Sequence, residues 1–245
     1  MPMNPSQSML LLTYTPRADA ASRGYDDWLR TVDNPFFNSQ PGILRYTNWK
    51  IVDRRAGEIP FDYFDTMFID PELGFEGIFG ANEAVQRFAD GWVELWGIDA
   101  AAGHAAVNYQ TVATEVIAQP QGGRRTQRCL FLPNTPREDA RERGYEDWLR
   151  TVDNPFFNSQ PGIAGYTNFK VLEAKIGAVE FTDFDLVYID EDRAFEDIFV
   201  RNPQAAEFAQ GWVAQWGRAP EAQDMLDGVN FCACVAEVVA APDEA

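Results

Sequence analysis

The chain has 245 residues, enough for one large domain or two small ones, and its 46% apolar and 24% charged residues exclude disordered, collagen-like and low-complexity classes. Thirty-eight acids against 20 bases give a net charge of −18, which repels a nucleic-acid backbone and an anionic membrane surface. Three of the 20 bases are lysines, Lys50, Lys170 and Lys175, and the rest are arginines.

Taken in order, the chain opens with Met1 to Gln7, which carries no positively charged side chain, and no apolar run approaches the roughly 20 residues of a membrane helix. Ser8–Tyr14 reads as a strand. A helix is predicted from about Asp19 to Asp33, because Tyr25, Trp28, Leu29 and Val32 fall on one helical face. Arg30 and Asp33, three apart on it, read as a pair. Pro35 is expected to end the helix, leaving Asn34–Gly42 as a loop. Ile43–Val52 reads as a strand, Gly57 marks a turn, and Phe61–Asp70 is a second, aromatic-rich strand. A short helical piece at Phe75–Phe79 leads to a helix around Asn82–Trp96, with Gly97 as its C-cap. Val107–Ile117 is the last strand.

The same order then recurs. Thr15–Gly97 aligns without gaps on Thr135–Gly217, with 47 of 83 positions identical, and Val107–Ile117 aligns on Val229–Val239. Residues 119–127, polar with Pro and two Gly, have a linker composition. The chain therefore divides into a first repeat over 1–118, a linker over 119–127 and a second repeat over 128–245. Each repeat reads β-α-β-β-α-β, the ferredoxin-like arrangement of an α+β fold. One sheet face of such a unit needs a cover. The second copy supplies it, so the two antiparallel sheets are expected to pack into one intrachain α/β barrel with helices outside.

Gly24–Pro35 (GYDDWLRTVDNP), followed by Pro41-Gly42-Ile43, and its copy Gly144–Pro155 (GYEDWLRTVDNP), resemble the REDY-like HapK family. The resemblance spans about the first half of each repeat. It implies membership of the dimeric α/β-barrel superfamily, whose members are usually a single unit, so the tandem copy is a departure. That superfamily includes cofactor-free monooxygenases, polyketide cyclases, lactone isomerases, lyases, decarboxylases and plain binding proteins. Many of them hold aromatic or polyketide-like compounds between helices and sheet.

Candidate chemistry lies on the second and third strands of each repeat. Side chains alternate along a strand, so Tyr46, Asn48 and Lys50 share one face. A hairpin closing about Ala56–Gly57 sets Asp65 opposite Asn48 and diagonal to Lys50. The second repeat carries Tyr166, Asn168, Lys170 and Asp185. A lysine can lose its proton where an arginine cannot. Lys50 and Lys170 are thus expected either to stabilise or move charge beside the aspartates, or to form a structural ion pair with them. Tyr46, Tyr166, Asn48 and Asn168 would orient an oxygen of the ligand. Asn38 and Asn158 are candidate ligand contacts on the loop. Trp28, Trp92, Trp148 and Trp212 are candidate pocket walls for a flat ligand, or simple core. His104 is the only histidine, and the three cysteines have neither disulfide-framework nor zinc spacing. No phosphate, flavin or nicotinamide fingerprint occurs, so no metal and no cofactor are expected.

The expectation is a cytoplasmic, cofactor-independent lyase, decarboxylase, isomerase or cyclase acting on a small hydrophobic aromatic molecule. A non-catalytic small-molecule binder and a cofactor-free monooxygenase are the alternatives. Further homodimerisation of the pseudo-dimer is compatible with this reading. The repeats differ at Phe169 for Trp49, Phe231 for Tyr109 and Ala164-Gly165 for Leu44-Arg45, changes expected to make the two pockets differ.

Overall fold

The structure is a computed structural model and describes residues 8–98, 108–120, 122, 124–218 and 231–242. In the first repeat, strands β1 (Ser8–Thr15), β2 (Ile43–Ala56), β3 (Tyr63–Ile69) and β4 (Asn108–Ala118) alternate with helical segments. The second supplies β5 (Arg128–Asn134), β6 (Ile163–Ile176), β7 (Asp183–Ile189) and β8 (Ala233–Ala240). All eight join in one closed barrel in the order β1-β3-β2-β8-β5-β7-β6-β4. The fold is α+β, as the duplicated ferredoxin-like pattern implies. The halves meet edge to edge as well as face to face. β2 pairs antiparallel with β8, and β4 with β6, so no sheet edge is left open.

Strands buried on both faces explain the near-continuous apolar runs. Along β1, Met9 and Leu11 point into the barrel, where they join Trp49, Phe64, Phe131 and Phe184. Leu10 and Leu12 point outward and are covered by helices, together with Phe37, Tyr46 and Met67. Trp49 and its counterpart Phe169 thus fill the barrel interior, away from the helix–sheet layer.

The first helix corrects one expectation. It does not stop before Pro35. An α-helical turn, α1 (Tyr25–Trp28), runs through a wide π-helical turn at Leu29–Asp33 into α2 (Asn34–Asn38). The Asn34 N–H bonds the Leu29 carbonyl, five residues back, instead of the one four back. This widened turn falls just before Pro35, whose ring and missing N–H an unbroken α-helix would not accept. The second repeat does the same in α4 (Tyr145–Trp148), Leu149–Asp153 and α5 (Asn154–Asn158). Each repeat then has a π-helical turn, Glu76–Gly80 or Glu196–Val200, and a long helix, α3 (Glu83–Trp96) or α6 (Pro203–Trp216). Asn82 and Asn202 cap these helices by accepting from two backbone N–H groups each. Gly97 follows α3 with extended backbone. Glycine is needed there because a Cβ would lie 2.5 Å from the Val93 carbonyl oxygen.

The β2–β3 hairpin reaches across to the other repeat. At Gly57 the backbone is left-handed (φ +64°), and a Cβ would lie 2.7 Å from Cys232 Sγ and 2.8 Å from the Phe231 carbonyl oxygen. Gly57→Ala is therefore expected to cost on the order of 1–3 kcal/mol, from strain plus collision with the second repeat. Denaturant unfolding checks this, and an unchanged midpoint would refute it.

Candidate functional site

The wide turn at Leu29–Asp33 brings two successive side chains, Asp33 and Asn34, inward against the sheet, and both are buried. Asn34 Nδ2 donates to the Tyr46 carbonyl (3.1 Å) and to Asn48 Oδ1 (2.9 Å). Asn38 clamps the same strand: its Nδ2 donates to the Tyr46 carbonyl (3.0 Å) and its Oδ1 accepts from the Tyr46 N–H (2.8 Å). This network fixes α2 on β2 and delivers Asp33 to the outward face of the sheet.

There it meets Asp65. The register sets Asn48 opposite Asp65, as the hairpin geometry predicts. Asn48 Nδ2 lies 2.9 Å from Asp33 Oδ2 and 3.0 Å from Asp65 Oδ1. The Tyr46 hydroxyl lies 2.9 Å from Asp33 Oδ2 and 2.7 Å from Asp65 Oδ2. A phenol carries one proton and donates to one of these oxygens; the other carboxyl must supply the proton for the second contact. The geometry therefore holds one proton between two carboxyls. Burial, and then the charge of Asp33, push Asp65 well above the usual carboxylate range. Burial also raises Asp33, to about 7, against the hydrogen bonds from Asn48 and Tyr46. The consistent arrangement is Asp65 protonated and donating to Tyr46, which donates in turn to Asp33. Tyr14 adds a fourth group, its hydroxyl donating to Asp65 Oδ1 (3.2 Å).

The expected ion pairs are not formed. Arg30 donates to Asp27 (2.8 Å) and to the Val239 carbonyl, which leaves Asp33 without a cation. Lys50 Nζ bonds Asp26 Oδ2 (2.8 Å) and lies over the Tyr63 ring instead of reaching Asp65. Tyr63 donates to the same Asp26 (2.8 Å). Lys170 bonds Glu146 and Glu115, each at 3.1 Å. Burial opposes its charge, but those two carboxylates raise its pKa. The lysines thus serve ion pairs at the end of the helix–sheet layer, because Asp26 and Glu146, in the first helical turn, lie closer to them than the buried aspartates do.

A cavity of about 440 Å³ opens over the first carboxyl pair, between the sheet and α3. Asp33, Asp65, Tyr14 and Tyr46 form its polar floor, and Phe37, Phe75, Phe79, Phe88, Trp92 and Tyr109 its main walls. Ile176, from the end of β6, completes the wall from the second repeat. Trp92 is therefore a lining residue, as anticipated. Trp28 is not; it stacks on Phe88 at 5.7 Å and packs beside Tyr25. Asn48 lies beneath the floor, fully buried, and Asn38 holds the backbone, so neither lines the cavity.

The second repeat keeps the pair but not the space. Tyr166 donates to Asp153 Oδ2 (2.8 Å), and Asn168 donates to Asp153 (2.9 Å) and Asp185 (2.8 Å). Burial raises Asp153 to about 7, and burial followed by the charge of Asp153 raises Asp185 well above the usual carboxylate range. The cavity above them is only about 50 Å³. Trp212 lines it, Phe231 stands for Tyr109, and Asn134 stands for Tyr14. Asn134 bonds the Leu132 carbonyl, so Asp185 lacks the donor that Tyr14 gives Asp65. Asn158 and Trp148 repeat the structural roles of Asn38 and Trp28. The first repeat's hairpin is tied down over this smaller cavity by Arg55, which bonds Glu196 at 2.6 Å. At the equivalent place over the first cavity Lys175 bonds Glu173 instead.

Among the described residues, no three His, Cys, Asp or Glu side chains converge to hold a metal ion. His104 lies outside the described residues. No helix among the described residues is long and apolar enough to cross a membrane.

No protein-family model matches the sequence. No curated protein matches it either. Solved structures do match it along nearly its whole length. One, described as "Putative monooxygenase" and from Fusobacterium nucleatum subsp. nucleatum, has a TM-score of 0.59 at 10% identity, covering 99% of this chain and 96% of that one. Another, an anthrone oxidase-like protein, has a TM-score of 0.51 at 12% identity, covering 98% and 93%. The chain shares their fold, here a closed eight-stranded antiparallel barrel with helices outside. At such low identity the likeness shows the fold alone. In this barrel the two halves are one polypeptide, and the cavity lies between helices and sheet.

Proposed function

We propose that the protein is a cofactor-independent enzyme of the isomerase, lyase or cyclase kind, acting on a hydrophobic aromatic or polyketide-like molecule in the first-repeat cavity. Its place near the REDY-like HapK family, suggested by Gly24–Pro35, belongs to the same proposal. The observation that carries the reading is a pair of buried carboxyls bridged by one tyrosine hydroxyl at the floor of an aromatic-walled cavity. Two titratable groups whose surroundings set their affinities apart are the arrangement that acid–base chemistry at neutral pH requires.

Asp33, ionised near neutrality, removes a proton from carbon next to a carbonyl. The C–H electron pair becomes the C=C of an enolate. Tyr14 turns its hydroxyl from Asp65 to the developing oxyanion, and Asp65, still bonded to Tyr46 and Asn48, holds the neighbouring proton. Return of the proton to another carbon, or attack of the enolate within the same molecule, completes an isomerisation or ring closure. No oxidant or cofactor is consumed. Lys50 and Lys170 have no part in this scheme.

The test is deuterium uptake by 2-tetralone, a neutral bicyclic ketone, in heavy water, followed by NMR. Wild-type protein is expected to accelerate exchange next to the carbonyl over buffer alone. Saturable binding without acceleration would replace this reading with a non-catalytic binder. Consumption of the ketone only in the presence of dioxygen would replace it with a cofactor-free monooxygenase.

A further inference from the structure

The cavity also sets the charge of what it holds. Among the described residues its ionisable lining is Asp33, Asp65, Asp90 and the tyrosines Tyr14, Tyr46 and Tyr109, with no arginine, lysine or histidine. The nearby cations are turned away, Lys50 to Asp26 and Arg30 to Asp27. An anion entering would leave water to face an ionised Asp33 with no counter-charge in the described lining. For a cation the walls build no aromatic cage. Tyr14, Trp92 and Tyr109 pack on one another with ring centroids 5.5 to 6.3 Å apart, too close to admit a cation between their faces. A neutral hydroxyl matches what remains. Both hydrogen bonds to Asp33 converge on Oδ2, and Oδ1 has no hydrogen-bond partner among the described residues.

We propose that the first-repeat cavity selects an uncharged aromatic ligand whose phenol or enol hydroxyl donates to Asp33, and that it rejects carboxylated relatives of the same ligand. This rests on the cavity being the functional site, as proposed above, and narrows its chemistry. Decarboxylation of a free acid is not its reaction. An acid precursor must lose or mask its carboxylate in an earlier decarboxylation or esterification before its product can enter.

Calorimetric titration of the full chain with 1-naphthol and with 4-hydroxy-1-naphthoate, above neutral pH, tests this. The naphthol is expected to bind at least about 100-fold more tightly than the naphthoate, a discrimination in the range of buried charge effects. Asp33→Asn should narrow the gap at least about tenfold. Where that variant does not fold, acidification of the wild type through neutrality should narrow the gap in the same direction. Ala89→Trp, which fills the cavity from α3, should abolish naphthol binding. Equal affinities for the two compounds, or a gap indifferent both to Asp33→Asn and to pH, would overturn the charge selection alone. Undiminished naphthol binding to Ala89→Trp would overturn the location. Failure of both 1-naphthol and 2-tetralone to bind would overturn the cavity as the functional site, and this inference with it.

Discussion

Asp33→Asn is expected to lower the rate of ketone deuteration by at least about 100-fold, the usual scale for removal of a positioned general base, while Asp153→Asn leaves it within about twofold of wild type. The two substitutions are matched. Each removes the carboxyl that receives a tyrosine hydroxyl and an asparagine amide at near-identical distances. Each sits in a repeat of the same wide helical turn. What differs is the space above, about 440 Å³ against about 50 Å³. A purely structural carboxyl pair predicts equal, small effects on rate from both changes. A pair that works on a ligand predicts the asymmetry. The second repeat thus acts as an internal control, and equal rates in the two variants would remove the proton-transfer role from Asp33.

The second large effect is on stability. The protein is expected to lose stability as pH rises from about 4 to about 7, and to go on losing it above that while Asp65 and Asp185, held well above the usual carboxylate range, give up their protons. A carboxyl whose affinity for protons is raised by folding stabilises the folded state while it stays protonated. That contribution is fully present below the unfolded pKa, near 4, and is lost as pH passes through the folded value. Asp33 and Asp153 both have folded values of about 7, raised first by burial. Together they move the folding free energy by an amount on the order of several kcal/mol over that window. Asp26 works in the opposite sense: despite burial, Lys50 and Tyr63 lower it, so its contribution is lost only on acidification below the ordinary carboxylate range. The net charge of −18 also destabilises the fold as pH rises, so pH alone does not isolate the pairs. Comparison with Asp33→Asn/Asp153→Asn does. In the double variant the decline between pH 4 and 7 should be shallower, the part due to the still-buried Asp65 and Asp185 remaining, as read from thermal midpoints, and an identical slope in both proteins would show that Asp33 and Asp153 are ionised throughout.

The duplication, the element order and the facing of Asn48 and Asp65 were legible in the residues, because repeats, alternation and a short hairpin are local properties. The barrel followed from the need to cover a bare sheet face. Three features were not legible. A proline normally reads as a helix end, and only the wide turn before Pro35 lets the helix continue; nothing in single-residue propensity announces that turn. Lys50 was expected beside Asp65, yet a flexible lysine takes the nearest half-exposed carboxylate, and that was Asp26 on a helix whose position depends on the whole fold. Asp33 was read as Arg30's partner, so its place opposite Asp65 was missed. Its one visible signal is the unbroken identity of Trp28–Ile43 and Trp148–Ile163, which keeps Asp33, Asn34 and Asn38 together in both repeats. Tyr14 sits on the outward side of β1 with Leu10 and Leu12, and its replacement by Asn134 is a clue that only the cavity makes meaningful.

The strand pairings β2–β8 and β4–β6 tie the halves into one closed wall. When such a wall is made from two identical molecules, every substitution appears twice, and a change that fills one chamber fills the other. Here each half mutates alone. The second half has Asn134 where the first has Tyr14 and Phe231 where the first has Tyr109, and the chamber of about 440 Å³ stands over the first half only. In a fused chain the two chambers can therefore be altered one at a time, which a symmetric pair of identical molecules does not permit.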